Sequence, residues 1–316
     1  MAIAFMFPGQ GSQAVGMGRA LAENFASARA VFDEVDNALH QKLSRIMWEG
    51  PESELTLTEN AQPALLAVSL GVLRVLETEY GITAANTAKF VAGHSLGEYS
   101  ALAAAGTFSL ADAARLLKIR GRAMQSATPV GIGAMAALLG LDFATALAVA
   151  ADAAQGEVCQ VANDNSEGQV VVSGHKAAIG RAMEIAKAKG AKRAIALTVS
   201  APFHCALMQP AAQAMAEALS QVAMRAPAVP LVANVGAGPL SDPAAIRASL
   251  VAQVTGTVRW RECVAYMAQH GVMQFHEIGS GRVLTGLSRK NSPHATAFHV
   301  GTPEDIAAAV SSIRKG

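Results

Sequence analysis

Residues 89–92 read as a short buried strand that runs straight into Gly93-His94-Ser95-Leu96-Gly97 and then into an alanine-rich helix. A strand that becomes a helix through glycine, three residues and glycine must turn sharply. Such a turn lifts the middle side chain above the edge of the sheet. Gly93 and Gly97 lack the side chains that would collide where the turn folds back. The Ser95 hydroxyl then lies beside a helix N-terminus, whose free N–H groups and dipole favour negative charge. Ser95 is therefore a candidate nucleophile; the plainer role for it is a helix cap.

The rest of the chain supplies the sheet that such a turn requires. Ile3–Phe7 is an apolar run ending in Pro8-Gly9-Gln10-Gly11-Ser12-Gln13, a buried strand followed by a tight loop. Helical periodicity covers 17–39, 62–80 and 110–125, the last carrying Arg115, Lys118, Arg120 and Arg122. Alternating strands and helices predict an α/β fold with a parallel sheet covered on both faces. From about residue 127 the pattern changes to strand 133–140, helix 142–154, strand 158–162, polar turn 163–168, strand 169–173, helix 175–189 and strand 193–199. This βαββαβ order predicts a small ferredoxin-like domain at 128–199, inserted into a discontinuous, α/β-hydrolase-like catalytic domain of 1–127 and 200–316. The α/β alternation resumes after Pro202.

Composition excludes several classes. The 316 residues carry a formal charge of +1 with no basic stripe, so a nucleic-acid partner is not expected. Cys159, Cys205 and Cys263 are far apart with no metal-ligand spacing, which fits a reducing compartment and argues against a zinc site. The apolar N-terminus lacks a basic region and breaks at Pro8-Gly9, so no signal peptide is read. The richest apolar stretch, 64–76, is interrupted by Ser69, Gly71 and Arg74 and falls short of a membrane span. A cytoplasmic, monomeric protein without a membrane partner is expected.

A serine hydroxyl needs a base. His204 follows the extended Ser200-Ala201-Pro202-Phe203 at a domain junction, where a loop side chain can reach a cleft. His276 is the rival: Ser95, Asp242 and His276 follow the chain order of α/β-hydrolase triads, which would make a serine hydrolase or thioesterase. His94 adjoins Ser95, and neighbouring side chains at such a turn diverge. The 7–13 loop, with two glycines and no Gly-Lys-Ser, suits an oxyanion donor better than a phosphate cradle. Backbone N–H groups of Gln10 and Leu96 would each stabilise a tetrahedral intermediate by on the order of 3 kcal/mol.

The motifs at 7–13 and 93–98, Arg120-Gly121 followed by Met124-Gln125, Phe203-His204, and Gly281-Arg282-Val283-Leu284 occur in one order. Together they closely resemble the malonyl-CoA:acyl-carrier-protein transacylases of bacterial type II fatty-acid synthesis, over essentially the whole chain. The resemblance implies a malonyl ester on Ser95, His204 as base oriented by a backbone carbonyl, and Gln10 and Leu96 as the oxyanion hole. It implies Arg120 as the binder of the free malonyl carboxylate, for which a guanidinium is well shaped. It also implies Gln253 as the residue that helps position the histidine, and Asn163 as a cleft residue. No cofactor is implied, the CoA thioester being a substrate. The implied partner is an acyl carrier protein, with Arg282, Arg289, Lys290, Lys189, Lys192 and Arg193 as candidate contacts. Two details stand out: Glu167 replaces the proline common in the family's Asn-Ser-Pro-Gly loop, and Phe203 favours malonyl over a branched acyl group. A non-catalytic carrier-binding module is the remaining alternative.

Overall fold

The structure is a computed structural model that describes residues 1–315. Ten strands form two sheets: β1 (Ala2–Phe7), β2 (Ala88–Gly93), β3 (Gly133–Leu139), β4 (Cys159–Ser166), β5 (Gln169–His175), β6 (Arg193–Ala196), β7 (Leu231–Ala233), β8 (Gly238–Leu240), β9 (Val272–Ile278) and β10 (Thr296–Val300). The larger sheet has the order β10-β9-β1-β2-β7-β8. Its first five strands are parallel, and β8 runs antiparallel to β7, so the sheet is mixed rather than purely parallel. The three-residue β8 carries Pro239 at the sheet edge, where a missing N–H is tolerated.

β1 shows why the sheet is covered twice. Phe5 and Phe7 pack with the helices Thr58–Tyr80, Gly97–Ala104 and Leu110–Ser126, whereas Ala4 and Met6 point the other way onto Trp260, Met267 and Leu284. A strand buried on both faces reads as an unbroken apolar run. β1 pairs with β2 in a register that sets Phe7 beside Gly93, so the 8–13 loop and the 94–96 turn leave the sheet side by side. They leave at the carboxyl ends of central strands, where open α/β sheets hold ligands.

The second sheet has the order β4-β5-β3-β6, antiparallel throughout, with helices Phe143–Ala154 and Lys176–Ala188 packed on it. Here the structure corrects the sequence reading. The predicted polar turn at 163–168 is strand through Ser166, and only Glu167-Gly168 turn. Asn163, Asp164 and Ser166 are buried, and Asn163 and Asp164 meet Val258 on the larger sheet's side of the molecule, so polarity here marks a seam rather than solvent. The predicted strand 193–199 stops at Ala196, and residues 197–200 run on as an exposed wall.

Two helices, Arg19–Asn24 and Ala26–Leu39, replace the single one expected, broken where Phe25 turns extended. The helix expected from 62 starts at Thr58 and carries Pro63 inside it. By length and composition alone it could cross a membrane, but 78% of its apolar window is buried inside the fold.

Candidate active site

Ser95 sits at φ 53°, in the left-handed region, at the head of the turn. The two flanking glycines are required by space. A Cβ on Gly93 would lie 1.9 Å from the Gly97 carbonyl carbon, and one on Gly97 would lie 2.2 Å from the Phe7 carbonyl oxygen. The turn is held from below by Asn234, whose Oδ1 accepts from the Ser95 N–H at 2.8 Å while its Nδ2 donates to the Gly93 carbonyl at 2.8 Å.

The Ser95 Oγ lies 2.8 Å from His204 Nε2. The other ring nitrogen of His204, Nδ1, lies 2.8 Å from the Gln253 carbonyl oxygen. A carbonyl can only accept, so Nδ1 carries the hydrogen and Nε2 is left bare to receive the Ser95 proton. His204 itself is at φ 58°. Burial, and then the nearby Arg120 charge, push its pKa down to about 3. No carboxylate is needed to orient this imidazole.

Arg120 is 1% exposed. Its Nη1 donates to Gln62 Oε1 at 2.9 Å, and its Nη2 donates both to Gln253 Oε1 at 2.9 Å and to Ser95 Oγ at 3.0 Å. The guanidinium carbon lies 5.8 Å from the Tyr99 ring centre, and Nε has no partner. Burial lowers its pKa. Among the described residues no carboxylate forms an ion pair with it, whereas Arg115 pairs with Asp112 and Arg122 with Glu59. A buried cation without a direct ion-pair partner is costly to hold, and an anion entering beside it would recover that energy.

Ser95, His204, Arg120 and Gln62 line a cavity of about 860 Å³. Gln10, Leu96 and Asn163 line it too, with His94, Met124 and Phe203. Gln10 Nε2 reaches Thr58 Oγ1 at 3.3 Å, and Leu96 is the last residue before helix Gly97–Ala104. Asn163 is buried and bridges to Val258. His94 turns away from Ser95, with Nε2 2.9 Å from Asn165 Oδ1 and its ring against Trp260. The seam between the sheets is bonded through backbone: Val258 N–H to the Ala162 carbonyl at 2.8 Å and Asp164 N–H to the Val258 carbonyl at 2.9 Å. Asp164 also pairs with Arg261 at 2.8 Å.

The rival triad is not assembled. His276 is fully buried on β9, 3.2 Å from Gln274 Oε1 and stacked on Phe298, and Asp242 accepts from Ala245 N–H as a helix cap. Burial pushes His276 down to about 4 from 6.5. Between those two values the unfolded chain takes up a proton that the fold refuses, so this residue makes stability fall as pH falls, by about 1.4 kcal/mol per unit. His276→Phe is expected to remove up to one proton from the pH slope of unfolding free energy between pH 6.5 and 4. Urea denaturation at stepped pH measures it, and an unchanged slope would contradict the assignment.

Three contributors escaped sequence reasoning. Asn234 follows β7, and its place just beyond a parallel strand adjoining β2 is the one signal that could have found it. Gln62, inside a long helix, carries no such signal. Glu98, seen only as part of a motif, is fully buried, accepts from Asn234 N–H at 2.6 Å and from Gln253 Nε2 at 2.5 Å, and is pushed up to about 8 by burial. Of the candidate basic contacts, Lys189 pairs with Asp152 and Arg289 donates to the Ala297 carbonyl. Among the described residues no group of three or more His, Cys, Asp or Glu is arranged to hold a metal ion.

The acyl transferase domain family matches residues 4–296. A malonyl CoA-acyl carrier protein transacylase of Bacillus subtilis (strain 168) is 45% identical over 315 residues, 99% of this chain and 98% of that protein. The crystal structure of an acyl-carrier-protein-S-malonyltransferase from Bartonella henselae is 57% identical, with a TM-score of 0.97 over 99% of this chain and 100% of that one. A malonyl-transacylase solved in complex with its type II PKS acyl-carrier protein is 42% identical, with a TM-score of 0.95 over 99% and 100% of the two chains. With a paired serine and histidine and an unpaired buried arginine in one cavity, the chain belongs to the acyl transferase domain family, among the malonyl CoA-acyl carrier protein transacylases.

Proposed function

We propose that this chain transfers malonyl from malonyl-CoA to the phosphopantetheine thiol of an acyl carrier protein by a ping-pong route through a malonyl ester on Ser95. The observation that carries the reading is the buried Arg120, without a carboxylate partner, 3.0 Å from Ser95 Oγ. That placement suits an acyl group whose far end is an anion. Ser95 Oγ attacks the thioester carbonyl while its proton passes to His204 Nε2. The N–H groups of Gln10 and Leu96 stabilise the oxyanion. The intermediate collapses, CoA leaves as the thiol with the proton from His204, and the ester remains. The carrier thiol then gives its proton to His204 and attacks the ester carbonyl, and His204 passes that proton to Ser95 Oγ as it leaves. Phe203, on the cavity wall, limits branching at the α-carbon.

The same reading divides the chain into a discontinuous catalytic domain, 1–127 and 200–316, and a ferredoxin-like domain at 128–199. The strand order β4-β5-β3-β6 and the two helices on that sheet support it. Asn163 and the backbone bonds of the seam make one wall of the cleft. The names of the relatives support fatty-acid or polyketide building-block supply as the setting, and three free, buried thiols suit a reducing cytoplasm. No cofactor enters any step.

Intact-mass measurement after incubation with malonyl-CoA tests the proposal. The expected product is one malonyl adduct, mapped to the peptide containing Ser95 and discharged by a phosphopantetheinylated carrier protein. Absence of an adduct, or one on another residue, overturns the mechanism.

A further inference from the structure

Gln253 is the hub of the site, because its backbone carbonyl holds His204 while its side chain holds Arg120. An amide has an acceptor end and a donor end, and only one of the two orientations serves Arg120. Gln253 Nε2 donates to Glu98 Oε2 at 2.5 Å and to the Ser95 carbonyl at 2.9 Å, which uses both its hydrogens. Oε1 is thereby turned to the guanidinium. The other Glu98 oxygen is committed to the Asn234 N–H at 2.6 Å, and Asn234 in turn holds the Ser95 backbone.

Building on the transfer reaction above, we propose that Glu98 is a positioning residue for malonyl recognition: it sets the orientation of the Gln253 amide and, through it, the aim of Arg120. Glu98 does not touch the substrate. In its ionised form, the form that two converging donors select, it presents two acceptor oxygens in a place where any donor reverses the hydrogen-bond polarity of the chain Glu98–Gln253–Arg120. The residue is fully buried, as are Gln253 and Arg120, so water cannot substitute for a misdirected partner.

The proposal makes the conservative replacement the worse one. In E98Q the new amide oxygen must face the Asn234 N–H, so its amino group faces Gln253 Nε2, donor against donor. Gln253 relieves this by turning over, and its own amino group then meets Arg120. In E98M nothing opposes Gln253, and the Ser95 carbonyl still holds its orientation. Above pH 8, where Glu98 is ionised, the expected order of KM for malonyl-CoA is wild type, then E98M, then E98Q. E98Q is expected to be raised about tenfold or more, with a smaller change in kcat. Labelling by a fluorophosphonate, which needs the Ser95–His204 pair and no carboxylate, is expected to persist in both variants.

An E98Q KM no higher than that of E98M makes Glu98 a structural group and overturns the proposal. So does loss of labelling in both variants. An unmutated chain that takes up no malonyl overturns the reaction together with the role. One that takes it up normally while E98Q matches its KM overturns the role alone.

Discussion

His204→Ala is expected to slow acylation of Ser95 by roughly 10²-fold to 10⁴-fold, the usual contribution of a positioned general base. Ser95→Ala is expected to abolish the covalent adduct altogether. In the histidine variant Ser95 Oγ keeps only its contact with Arg120, a group that donates and cannot take a proton. Pre-steady-state transfer from malonyl-CoA measures the effect, and a fall of less than tenfold would point to another base. Because the orienting partner of His204 is a backbone carbonyl, no side-chain replacement can remove it, unlike the acid of a Ser-His-Asp triad. The pH profile should follow. With its pKa pushed down to about 3, free His204 stays neutral and competent well below pH 6.5, so kcat/KM should show no acid limb from this residue near that value. Arg120 is one cause of the depression. A malonyl carboxylate paired with it offsets that charge, so the acid limb of kcat should lie at higher pH than that of kcat/KM.

Arg120→Ala is expected to reduce kcat/KM for malonyl-CoA by about two to three orders of magnitude, the scale of losing a buried charge-assisted pair. Acetyl transfer should be retained or gain, because the acetyl group has no use for the guanidinium. The ratio of malonyl to acetyl transfer is therefore the decisive measurement, and an unchanged ratio would remove Arg120 from the site. Arg120→Lys should recover little. A lysine offers one compact ammonium in place of the fork that reaches Gln62, Gln253 and Ser95 at once.

What could be read from the sequence was what local geometry dictates. The Gly93–Gly97 turn is a backbone event confined to five residues, so its strand, its glycines and its exposed hydroxyl were all legible. Arg120 was legible only through its family resemblance, since Arg115 and Arg122 share its helix. Which of the three is buried depends on the neighbouring helix Thr58–Tyr80, and that is a tertiary fact. Gln62 and Asn234 were missed for the same reason, each being an ordinary amide until folding sets it beside a partner. The 163–166 segment failed differently. Polar residues usually signal a turn, but here they face a second layer of protein, where Asp164 finds Arg261 and Asn165 finds His94.

That segment also fixes how the cleft can open. Swinging the β4-β5-β3-β6 sheet away from the rest as a rigid body would break both backbone bonds to Val258 and the buried Asp164–Arg261 pair together. Each such loss without water to replace it is worth about 1–3 kcal/mol. One jaw of the cleft is therefore sewn shut. The opposite lip, 197–200, contributes Leu197, Thr198, Val199 and Ser200 to the cavity and is tied at its two ends, where the Leu197 N–H donates to the Met135 carbonyl at 2.9 Å and Ser200 Oγ lies 2.7 Å from Thr58 Oγ1. Any yielding of the cleft to a long substrate therefore falls to Thr198 and Val199, between those two ties, and the chemistry behind them keeps its alignment.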